Sequence, residues 1–109
     1  MDVSTLAYIR WNGSVTTGVG PATATVSAVV SSAASVTLLA ANAAALSREV
    51  FNGADKTLYL KHGATATTSS YTTQVPAGWL YVFPAPVYTG IVDGIWGAGP
   101  TGNALVTES

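Results

Sequence analysis

Charge is what this chain has least of. Asp, Glu, Lys and Arg make up 8% of its 109 residues, against roughly 25% in an ordinary soluble domain. Between Trp11 and Ser47 there is none. A free monomer keeps charge on its surface for solubility and to discourage edge-to-edge pairing. A chain without it is expected to cover much of its surface with neighbours, which points to a subunit of an assembly before it points to an enzyme. The formal net charge of -1 leaves no basic footprint for nucleic acid or an anionic membrane surface. Cysteine is absent, which excludes a disulfide framework and zinc–thiolate sites and leaves the redox compartment unread.

Long, strongly apolar runs are missing too. Residues 26–46 carry no charge and could span a bilayer by length, which takes about 20 residues. Ser27, Ser31, Ser32, Ser35, Thr37 and Asn42 dilute them, however, and no basic or aromatic anchors flank them. No membrane association is expected. Asp2 follows Met1 with no basic region ahead of an apolar run, so export by the general secretory route is not expected either.

What is present is a regular alternation of turn residues with short runs of Val, Ile, Thr, Tyr, Leu and Trp. Candidate strands cover 6–11, 23–30, 35–39, 48–52, 57–62, 71–75, 79–83, 87–96 (one strand interrupted at Gly90, or two) and 104–107. Their spacing is that of a sandwich or barrel. In 57–62, Leu58 and Leu60 fall on one face and Tyr59 and Lys61 on the other, the period of a half-buried strand. Alanine-rich 40–45 is too short for a stable helix and reads as a turn; polar 65–70 reads as a loop. The pattern predicts an all-β chain, an antiparallel β-sandwich or jelly roll of about eight strands over 23–109. Residues 1–22 are either an extended N-terminal arm or the first strand.

No motif assembles a catalytic, cofactor or metal site. Gly97-Ala98-Gly99-Pro100-Thr101-Gly102 has the letters of a dinucleotide-binding turn, but too little chain follows for the helix and acidic residue that chemistry needs. His62, the one histidine, has no carboxylate at ligand spacing and no evident nucleophile, so a surface or interface role is expected. Asp2, Glu49, Asp55, Asp93 and Glu108 are scattered rather than paired for glycoside hydrolysis. Arg48-Glu49 and Asp55-Lys56 read as solvated neighbours at strand edges, and Asp93-Gly94 as a turn or bulge. Trp79, Tyr81 and Phe83 recur at period two, which suits a sugar-stacking ladder, a core or a subunit interface. Few polar residues accompany them, which favours core or interface.

A further pattern runs through Asn42, Arg48-Glu49-Val50-Phe51-Asn52, and Thr57-Leu58-Tyr59-Leu60-Lys61-His62-Gly63-Ala64-Thr65-Ala66. It continues through Tyr71-Thr72, Pro76-Ala77-Gly78, the run Val87-Tyr88-Thr89-Gly90-Ile91-Val92-Asp93-Gly94-Ile95-Trp96, and Val106-Thr107-Glu108. In these motifs the middle and end of the chain resemble small structural proteins of tailed bacteriophages. Where the family pattern often has a polar, Arg-rich turn, this chain has Ala43-Ala44-Ala45, so contacts by those basic residues are not carried over.

The resemblance implies a non-enzymatic virion protein made in the host cytoplasm, foremost a capsid decoration or cement subunit. Its partners would be its own copies, as a homotrimer, and the major capsid protein or other virion proteins. Leu6, Tyr8, Ile9 and Trp11 are the candidate anchors of an arm; Trp79, Tyr81 and Phe83 are the further candidate interface residues. The alternatives are a neck, tail or fibre component, or a carbohydrate-binding module for a host surface. A small hydrolase ranks last.

Overall fold

A computed structural model describes residues 23–109 of the protein. The expected strand or arm within 1–22, with Leu6, Tyr8, Ile9 and Trp11, lies outside the described residues. The chain from 23 onward is an all-β sandwich, with strands β1 (Thr25–Val30), β2 (Val36–Leu39), β3 (Arg48–Asn52) and β4 (Leu58–His62). These are followed by β5 (Thr73–Val75), β6 (Leu80–Val82), β7 (Val92–Trp96) and β8 (Asn103–Glu108). Two four-stranded sheets form, in the orders β1-β8-β3-β6 and β2-β7-β4-β5.

Every pairing between strands is antiparallel. First pairs with last, second with seventh, third with sixth and fourth with fifth, as in one long ribbon folded over and rolled up. That is the jelly-roll arrangement, with consecutive strands passing between the sheets except at the β4–β5 hairpin.

Alternation along each strand decides which residues enter the gap. β3 turns Arg48, Val50 and Asn52 inward, β4 turns Leu58 and Leu60, and β8 turns Ala104 and Val106. Val92 and Trp96 of β7, with Val75 and Phe83, complete the core. Burying each larger apolar side chain there contributes about 1.5–3 kcal/mol. In β2 the register slips between Thr37 and Leu39, and the bulge lets Leu38 and Leu39 both enter the core. Gly94 lies beneath them: a Cβ there would come within 2.8 Å of both Leu38 Cδ1 and Leu58 Cδ1.

Three sequence expectations are corrected. The predicted strand over 87–96 shrinks to β7, because its first half has other hydrogen-bond partners. Arg48 Nη1 donates to the carbonyls of Tyr88 (2.9 Å) and Gly90 (2.7 Å), and the Asn42 amide donates to that of Thr89 (2.8 Å). Arg48 is not a solvated partner of Glu49 either. It is buried, its Nε donates to Glu108 Oε2 at 2.7 Å, and its Nη2 donates to the Ala40 carbonyl at 2.7 Å. Likewise Asp93 lies within a strand, its carboxylate held by the Thr37 hydroxyl (3.0 Å) and the Thr65 amide (2.8 Å).

Candidate docking face

The two sheets present different outer faces. On the sheet containing β2, one cross-strand row is Thr37, Asp93 and Lys61. Its polar groups are engaged: besides the Asp93 bonds, Lys61 Nζ donates to the Ser70 hydroxyl (2.9 Å) and the Thr65 carbonyl (3.2 Å). This is the polar outer row expected of an antiparallel sheet with one side on the core, with Asp93 itself buried beneath its partners.

The outer face of the other sheet breaks that rule. Ala28, Leu105, Phe51 and Leu80 stand directly opposite one another across all its strands and therefore share one side. The next row is Val26, Thr107, Glu49 and Val82, and Val30 stands opposite Asn103. Leu80 is 52% exposed, Val26 62% and Val30 71%. Phe51, Val82 and Leu105 are exposed as well. Glu49, half-buried, is the one charged residue in these rows. Turn chemistry holds the edge of this face in place: the Gly78 amide donates to the Asn52 carbonyl at 2.7 Å, and the Asn52 amide to the Trp79 carbonyl at 2.9 Å. An apolar patch crossing a whole sheet is a mark of an interaction surface.

The aromatic residues singled out in the sequence do not form one exposed ladder. Trp79 precedes β6 and is 64% exposed, Tyr81 is half-buried on the inner side, and Phe83 belongs to the core. The Tyr81 and Phe83 rings tilt at 58° with centroids 5.2 Å apart. Only Trp79 opens to solvent, at the border of the apolar face. Leu80, Val82, Phe51 and Leu105 are what sequence reasoning missed. Alternation separated Leu80 and Val82 from Tyr81, but both sets are apolar, so it could not tell core from surface.

His62 ends β4 on the inner side. Its ring is stacked between Phe83 (centroids 4.7 Å, 6°) and Tyr88 (4.9 Å, 12°), with Nε2 3.3 Å from Tyr81 Oη. Burial, aided by the positive charge of Arg48, lowers its pKa below the ordinary 6.5. A neutral imidazole filling a slot between aromatic rings is a packing element. The glycine-rich run at 97–102 leads into strand β8, with Asp55 accepting hydrogen bonds from the Thr101 amide (2.8 Å) and hydroxyl (2.9 Å) across the loop.

Among the described residues no three His, Cys, Asp or Glu side chains gather as metal ligands, and no pocket opens. No helix among them is long and apolar enough to cross a membrane. No protein-family model, curated protein or solved structure matches the chain.

Proposed function

We propose that this chain is a structural subunit of a tailed-phage virion, foremost a capsid decoration subunit, that works by laying its apolar sheet face on a neighbouring protein. The observation that carries this is the row Ala28, Leu105, Phe51 and Leu80, exposed on a protein with almost no surface charge. The resemblance over residues 36–108 supplies the virion setting. Jelly rolls occur in viral capsid and lectin domains alike, so the fold supports an assembly role by analogy alone.

The energetics suit a part used in many copies. Four strands about 4.8 Å apart and about five residues long present roughly 300 Å². At about 25 cal/mol per Å² that is about 7 kcal/mol gross, most of it offset by the entropy of association. Single contacts are weak, and repetition over a shell supplies the avidity.

The test is co-sedimentation of the purified protein with capsids that lack it. The wild type is expected to bind. Leu80→Asp and Leu105→Asp, exposed positions that leave the core intact, are expected to abolish binding with the circular dichroism spectrum unchanged. Wild-type protein that ignores capsids would sink the decoration role. Exposed Trp79 favours a second reading, sugar recognition on a host surface; specific glycan-array signals lost in Trp79→Ala would establish it instead.

A further inference from the structure

Among the described residues the sandwich has four edge strands, and three of them are blunted. β5 and β6 have three residues each, with Pro76 directly after β5 and Pro84 shortly after β6, and β2 is bulged. Short strands, prolines and bulges are how proteins keep sheet edges from pairing with other chains. β1 has none of them. It runs six residues, Thr25, Val26, Ser27, Ala28, Val29 and Val30, in unbroken register with β8, without charge or proline.

β1 also overhangs the sandwich. Thr25 and Ser27 face the side of the second sheet yet remain exposed, as do Val26, Ala28 and Val30 on the outer side; only Val29 is half-buried. Among the described residues its one hydrogen-bonded neighbour is β8. The strand is rich in β-branched residues, which suit a pleated surface.

We infer that the edge of β1 facing away from β8 pairs antiparallel with β1 of a second copy across a two-fold axis, joining two four-stranded sheets into one. A two-fold contact requires a surface complementary to itself. β1 meets that condition because it carries no charge to face its own like across the axis. The pairing places the Val26, Ala28 and Val30 side of one copy beside that of the next, so the two apolar faces become one floor. An edge about 20 Å long and about 10 Å deep covers roughly 200 Å² per partner, a quarter of the roughly 800 Å² of a standard stable pair. The dimer is therefore concentration-dependent, and it is a two-fold pair rather than the trimer expected from the resemblance. The contact does not depend on the virion role: a dimer that ignores capsids would overturn that role and leave this one standing.

The experiment uses the chain of 109 residues. Light scattering is expected to show the mass rising with concentration from 11.0 kDa toward twice that value. Val26→Lys with Val30→Lys, both at exposed positions, is expected to weaken association at least tenfold with unchanged circular dichroism. The chain has no cysteine of its own, so Ala28→Cys introduces a single thiol. A short bis-maleimide is expected to join Ala28→Cys copies and to leave Gln74→Cys copies, on the opposite sheet, unlinked.

A monomer at every concentration up to about 1 mM would overturn the inference. So would an oligomer that links equally at both positions or ignores the paired lysines. A monomer whose β1 amides resist hydrogen exchange would assign the edge to a segment of its own chain, and that too would overturn it. Should the lysine variant misfold, the crosslinking comparison still decides.

Discussion

Arg48 and Asn52 hold inward positions on β3 that apolar residues would ordinarily take; Asn52 is fully engaged, and Arg48 makes four hydrogen bonds. The Asn52 amide donates to the Lys56 and Val75 carbonyls, both at 2.8 Å, and its oxygen accepts from the Ala54 amide (3.1 Å) and Trp96 Nε1 (3.0 Å). Asn52→Leu strands the indole N–H, the Ala54 amide and two carbonyls. It is expected to cost about 3 kcal/mol or more, read as a lower urea midpoint. Arg48→Met leaves Glu108 and three carbonyls without their donor and should cost about 3–5 kcal/mol. Arg48→Lys is not expected to rescue it, because an ammonium cannot reach the same acceptors with a planar fork. His62 makes stability pH-dependent. Its folded pKa lies below 6.5, so the unfolded chain takes up the proton first. Its contribution is complete above about pH 6.5 and is lost as pH falls through the folded pKa. Thermal melts across that range should show stability falling with acid, and His62→Phe should remove that component.

Strand β7 depends on a missing side chain. Gly94→Ala would drive a methyl into Leu38 and Leu58, both core residues. Overpacking of this kind costs about 1–3 kcal/mol, and a matching drop in the urea midpoint is expected. Relief by Leu38→Ala in the double variant would show the clash is local, since only contacting residues depart from additivity. The segment before β7 shows how one side chain can override strand propensity. Val87, Tyr88 and Ile91 favour a strand, yet Arg48 and Asn42 engage the carbonyls around them, leaving less of a ladder to join.

Among the described residues, one sheet has a polar outer row and the other an apolar outer face, with an unblunted edge bordering the apolar side. The β1 edge carries no charge, and half-buried Glu49 is the one charged residue in the rows of the apolar face. Both proposed contacts should therefore respond little to sodium chloride, whereas a contact held by exposed charges weakens as ionic strength rises. Sulfate should strengthen them through exclusion from apolar surface. A steep loss of self-association or capsid binding in sodium chloride would place the contact elsewhere on the protein.

Local chemistry alone determined the all-β class and, among the described residues, about eight strands and most of their positions, because alternation and turn residues act over a few neighbours. Arg48 to Asn52, the inward Leu58 and Leu60, and the turn at Asn42 were legible for that reason. Alternation names two faces of a strand but not which is covered, so Leu80 and Val82 could not be told from a core pair. Arg48 looked solvated beside Glu49 because its partners, Glu108 and the carbonyls of Ala40, Tyr88 and Gly90, lie mostly far along the chain. Only the rolled-up ribbon decides such matters. It sets first strand against last, takes Arg48 into the core, and leaves β1 at a margin where the second sheet does not cover it.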